Sequence, residues 1–272
     1  MDKTKVERSQ EHIFFGKKER EQGRASNPQS QNHRDDSHLR PYFICGGSIL
    51  SKWTVLTAAH CYCKSDTYPN YPPTKVRAGF LRWSKPWVGQ TRQSKTVIVH
   101  PNYTENTYEH DLAIVVLETP FALGGPTPKA IRLPNPTRKV RPRDRLIVMG
   151  WGAKVVGAYD SNLESDELRK VELTVILPNQ CGIEDPGYQF CAEGTLRKSG
   201  HCQGDSGGPL VSFSDTDTLL GVVSYEMTRY CAHGPGIYTH IPNSLYLDFI
   251  KKEGFKKGAP KPAELFTDPR PG

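Results

Sequence analysis

The chain holds 272 residues, enough for one large β domain or for two small domains that share an interface. Hydrophobic residues make up 36%, and no stretch reaches the roughly 18 consecutive apolar residues of a membrane helix, so a helical span is excluded. Lys and Arg number 36 against 29 Asp and Glu, a formal charge of +7, but bases and acids are interspersed, which argues for a solvated basic surface and against a nucleic-acid patch.

Residues 1–40 are rich in Lys, Glu, Arg, Gln, Asn and Ser, with Ile13, Phe14 and Phe15 as the apolar cluster. That composition predicts a poorly ordered region or a pro-segment. Residues 1–10 are charged and lack an apolar run followed by a small-residue cleavage site, so no secretory leader is read there and the N-terminus is taken as incomplete or misassigned.

From Cys45 the texture changes. Runs at 53–56, 96–99, 113–117, 146–149, 171–176, 219–223 and 236–240 are rich in strand formers and are separated by Gly, Pro and Asn clusters, the rhythm of an antiparallel all-β fold. Further on, Leu245, Leu247, Phe249 and Ile250 lie in a segment that Asn243 or Ser244 can cap and Lys251 and Lys252 can finish, which predicts a short helix. The expected division is a folded domain over 41–255 and a tail over 256–272.

Chemistry concentrates in three segments. In Gly204-Asp205-Ser206-Gly207-Gly208-Pro209, glycines on both sides let a serine project from a tight turn while backbone N–H groups converge near it. A glycine-rich serine turn by itself is usually structural; it needs a base and an orienting acid. The base candidate is His60 in Leu56-Thr57-Ala58-Ala59-His60-Cys61, where small alanines let an imidazole sit against packed neighbours. The acid candidate is Asp111, directly before the apolar run that starts at Leu112. A carboxylate carried inward there is costly unless it accepts a donor such as an imidazole N–H.

These segments, in the order His, Asp, Ser, resemble the trypsin and chymotrypsin family over roughly residues 45–252. The resemblance extends to Cys45-Gly46-Gly47-Ser48, Gly150-Trp151-Gly152, Ser224-Tyr225 and Pro235-Gly236-Ile237-Tyr238-Thr239. It implies two six-stranded antiparallel β-barrels with a short C-terminal helix and a cleft between the barrels. It implies a serine endopeptidase in which Ser206 attacks, His60 moves the proton, Asp111 orients His60, and the N–H groups of Gly204 and Ser206 hold the oxyanion, with Ser224 bonding near Asp111. The runner-up is a catalytically silent homologue acting as a binding or cofactor protein.

The seven cysteines are compatible with an oxidised extracellular fold or a metal site. The resemblance pairs Cys45 with Cys61, Cys181 with Cys191 and Cys202 with Cys231, and leaves Cys63 over. A zinc site on His60, Cys61 and Cys63 is disfavoured, because cysteine ligands usually keep two to four residues between them. No metal and no cofactor is called for, and calcium dependence is not expected, since no Asp or Glu occurs between Thr67 and Thr104.

For the primary substrate pocket the resemblance points to Gly200 on the floor, Gly236 on a wall, and Ser224 and Glu226 along one side. An uncharged floor predicts a preference for large apolar side chains. Glu226 departs from the family pattern, and it either narrows the pocket or attracts a basic side chain. Activation in the family pairs a newly exposed Ile or Val amine with the aspartate before the nucleophile, here Asp205, and the nearest match to that terminus is Ile13. Expected partners are protein or peptide substrates and protease inhibitors, with no nucleic acid and no membrane, for a secreted monomer. Asn102-Tyr103-Thr104 fits a glycosylation acceptor.

Overall fold

The computed structural model describes residues 4–5, 12–17, 42–62, 74–85, 87–124, 128–154, 164–183, 185–196, 198–228 and 230–255. Cys63 and the 256–272 segment lie outside them. A first barrel is closed by β2 (His12–Lys17), β3 (Tyr42–Ser51), β4 (Thr54–Thr57), β5 (Lys75–Ala78), β6 (Gln90–Val99) and β7 (Ala113–Leu117), in the order β2-β3-β4-β7-β6-β5. β8 (Arg145–Gly150), β9 (Arg169–Val175), β10 (Gln189–Gly194), β11 (Pro209–Ser212), β12 (Leu219–Glu226) and β13 (Gly236–His240) form the second sheet, with β1 (Thr4–Lys5) on the edge of β9. Its order is β1-β9-β10-β13-β12-β11-β8, and β8 also pairs with β9, so six of its strands return on themselves.

The burial pattern explains these strands. On β9, Val171, Leu173 and Val175 are buried at every second position and join Leu146, Leu210 and Tyr238 in the interior of the second sheet. β7 is apolar on both faces because both are covered: Val115 and Leu117 enter the first barrel with Ile49 and Val76, while Ile114 faces the layer between the sheets. That middle layer includes Leu56, Met149, Trp151, Val222 and, from α1 (Ser244–Gly254), Leu247 and Ile250. The Asn243 side chain accepts the Leu245 N–H at 2.8 Å and starts α1, the capping role read from the sequence.

Residues 12–17 are a strand of the first barrel, with Ile13 opposite Gly47 on β3 and Ala78 on β5. The reason is local: Ile13, Phe14 and Phe15 are strong strand formers, and β3 and β5 have free edges that they bridge. The same register places Ile13 within β2.

Candidate active site

His60 lies in a single helical turn, Ala59–Cys61, that follows β4. Ala58 and Ala59 are fully buried, and the bond from Cys61 to Cys45, with Cα atoms 6.3 Å apart, ties the turn to β3. The β4–β7 register sets Leu56 opposite Ile114 and Thr57 opposite Ala113, which brings the His60 turn over the start of β7. Asp111 sits there at 0% exposure.

The Asp111 carboxylate is fully engaged. Oδ1 accepts the His60 backbone N–H at 2.9 Å, and Oδ2 meets His60 Nδ1 at 2.7 Å and accepts the Ser224 hydroxyl at 2.5 Å. A buried carboxylate with three donors avoids the desolvation cost of a lone charge. An ionised Asp111 also holds the imidazole proton on Nδ1, so Nε2 presents a lone pair on the far side of the ring.

Ser206 is half-buried on a turn whose flanking residues, Gly204 and Gly207, have φ of +91° and +74°. Both angles lie in the region that side-chain-bearing residues avoid. Glycine is demanded twice over at 207, because an added Cβ would stand 2.7 Å from Gly46 O and 3.0 Å from Ala58 N. The serine turn thus lies directly against the segment that leads into His60. The Gly46 N–H donates to Ser206 O at 2.7 Å and the Gly207 N–H to Val223 O at 2.8 Å, next to Ser224. Three segments distant in sequence therefore meet. Among the described residues no hydrogen bond joins the Ser206 hydroxyl to His60, and the Gly204 and Ser206 N–H groups have no protein acceptor. Such hydroxyl–imidazole contacts are commonly long in empty sites and tighten on substrate.

Asp205 is 1% exposed, and its carboxylate accepts the Gly152 N–H at 2.8 Å and the Cys202 N–H at 2.9 Å. The Gly150-Trp151-Gly152 segment makes room for it: a Cβ on Gly152 would sit 2.5 Å from the Asp205 Cγ.

The bonds Cys45–Cys61, Cys181–Cys191 and Cys202–Cys231 follow the pairing that the resemblance implied. Cys45, His60 and Cys61 gather within 4.8 Å of one another, yet both sulfurs are consumed in a disulfide and offer no thiolate, so this donor set does not suit a metal. Asn102 is exposed, in a turn closed by the Tyr103 N–H donating to His100 O at 3.0 Å.

Beside Ser206, β12 runs on from Ser224 to Glu226, which faces Gly236 across the β12–β13 ladder. Gly200 and Gly236 are both buried. His201 is also there: its Nδ1 lies 2.8 Å from Tyr238 Oη and its Nε2 is 3.7 Å from Glu226 Oε1. Sequence reasoning missed His201, as it missed Tyr108, which has φ of +54°, stands edge-on to His60 at 5.6 Å and touches Tyr225 at 5.2 Å. It also missed His100, whose buried ring stacks on His110 at 5.0 Å, immediately before Asp111. Burial, with the charge of His110 adding to it, pushes His100 down to about 4.

The family model described as Trypsin matches residues 20–250. Transmembrane protease serine 11G of Mus musculus is 33% identical over 217 residues, 77% of this chain but 49% of that protein, so the chain spans about half the length of that relative. Trypsin Blo t 3 of Blomia tropicalis is 31% identical over 79% of each chain, and Hypodermin-A of Hypoderma lineatum is 33% identical over 76% of this chain and 75% of its own. Among solved structures, mouse neuropsin, a serine protease, superposes with a TM-score of 0.64 at 30% identity, covering 77% of this chain and 88% of its own. Human heparin binding protein superposes with a TM-score of 0.66 at 25% identity, covering 80% and 89%. With the family model spanning most of the chain and these relatives matching along the same stretch, the chain belongs to the trypsin family.

Proposed function

We propose that the protein is a serine endopeptidase working through Ser206, His60 and Asp111. A serine hydroxyl is a poor nucleophile until a base takes its proton as the bond to carbon forms. His60 Nε2 is the base, and it later returns the proton to the departing amine, leaving an acyl group on Ser206 that water removes with the same imidazole as base. Asp111 keeps the imidazole in the tautomer that can accept and supports the positive charge that develops on it. The unengaged N–H groups of Gly204 and Ser206 receive the oxyanion; in serine proteases, loss of one side-chain donor of this kind costs about 100- to 1000-fold in kcat. Asp205, bonded to Gly152 and Cys202, holds that turn in shape.

The observation that carries this reading is the 2.7 Å contact between His60 Nδ1 and a fully buried Asp111, which has little purpose in a purely structural barrel. Substrates are proteins or peptides, and inhibitors that mimic them compete for the cleft. Three disulfides favour an oxidising, extracellular setting for a secreted protease. No described helix is long and apolar enough to cross a membrane. The expected zymogen step is the release of an Ile or Val amine that reaches Asp205.

The test is covalent labelling with a small fluorophosphonate, before and after limited proteolysis. Labelling that disappears in Ser206→Ala and in His60→Ala supports the enzyme. A folded, disulfide-intact chain that never labels supports the silent homologue, a binding protein on the same scaffold.

A further inference from the structure

Glycines at 200 and 236 leave room beside the nucleophile only if nothing else occupies it. At Gly236 something does. A Cβ placed there would stand 2.7 Å from His201 Nδ1 and 2.8 Å from Tyr238 Oη, so the imidazole lies directly over the space that the missing side chain vacates. At Gly200 the equivalent Cβ would meet the Ala232 Cβ at 3.3 Å, so Ala232 packs against that glycine.

His201 is held firmly in that space. It is 4% exposed and bonded through Nδ1 to Tyr238 Oη at 2.8 Å. Tyr238 is fully buried; burial first, then the charges of Glu226 and Asp205, raise its pKa well above the usual range, so the phenol stays protonated. Nε2 of the same ring lies 3.7 Å from Glu226 Oε1. Glu226 is itself folded inward, with its side chain 14% exposed. A large apolar side chain entering here must displace an anchored imidazole and lie against a carboxylate.

We propose that His201 is a specificity-determining residue: its imidazole makes the primary pocket shallow and polar, so that the enzyme cleaves after short side chains such as Ala, Ser or Val and discriminates against Phe, Tyr and Leu. The proposal rests on the protease reading above and replaces the large apolar preference expected from Gly200 and Gly236 alone.

The experiment compares peptides identical except for the residue before the cut (Ala, Val, Leu, Phe or Arg), using the full disulfide-bonded chain. Fluorophosphonate labelling of Ser206 is measured alongside. The wild type should favour Ala and Val over Phe in kcat/KM by at least about tenfold, and His201→Ser should raise the Phe-to-Ala ratio by a similar factor, the range by which pocket volume usually discriminates. Glu226→Gln, which removes charge but little volume, should leave Phe excluded. A labelled wild type that prefers Phe, Leu or Arg overturns the proposal, as does a Glu226→Gln chain that accepts Phe. The wild-type profile and Glu226→Gln decide the matter even if His201→Ser does not fold. Absence of labelling in every form instead sinks the protease reading beneath it.

Discussion

Acid should loosen the loop that carries Asp111, and His100 is the group that senses it. The His100 ring is 4% exposed, stacked on His110 at 5.0 Å with 11° between planes, and flanked edge-on by Tyr246 and Phe249 of α1. Its Nδ1 accepts the Asn102 N–H at 3.3 Å. Tyr188 and Tyr246 contact His110, and Glu109 is the charged neighbour that partly offsets the effect of burial on it. Burial and the neighbouring imidazole lower His100 from 6.5 to about 4. The unfolded chain therefore binds a proton that the folded chain refuses, and stability falls as pH drops from about 6.5 to about 4 and then levels for this group. The ceiling is about 3 kcal/mol, and relaxation of a surface loop reduces it to about 1–2 kcal/mol. Guanidinium unfolding of the Ser206→Ala chain, chosen to prevent self-cleavage, would be followed between about pH 7 and about pH 4. His100→Gln should shrink the loss by about 1–2 kcal/mol. His110 and His240, both lowered mainly by burial, keep the remainder of the slope. An identical loss in the two proteins would refute the assignment.

Two further outcomes follow from the site. Gly152→Ala puts a methyl group 2.5 Å from the Asp205 Cγ, so the carboxylate must move and surrender its bond to the Gly152 N–H; the fluorophosphonate labelling rate should fall by about 100-fold, the scale of a damaged oxyanion site, and an unchanged rate would detach Asp205 from that role. Ser224→Ala removes one of three donors to Asp111 while His60 retains both of its contacts; kcat should drop about tenfold, the scale of one hydrogen bond to a charged group, with KM little changed. A change confined to KM would make Ser224 a substrate contact instead.

Much of this protein was legible before any coordinates. Strands over 113–117 and 236–240 match β7 and β13 because alternation, apolar runs and glycine punctuation are local signals. The three candidate segments were legible because the chemistry proposed for them demands particular residues close by: alanines before His60, glycines around Ser206, an apolar run after Asp111. The pairing of residues 12–17 was not legible along the chain, since their polar context carries no strand signal beyond the Ile13–Phe15 cluster, whereas the edges of β3 and β5 come from elsewhere in the chain. The stack of His100 on His110 and the edge of Tyr108 against His60 leave no pattern along the chain. Composition and spacing by themselves determined the all-β class, the three candidate segments and the pair of residues, Asn243 or Ser244, from which the cap of the final helix comes. Only the tertiary structure decided what stands in the space over Gly236, because a glycine specifies that room exists, and the occupant, His201, arrives on a different segment held by Tyr238.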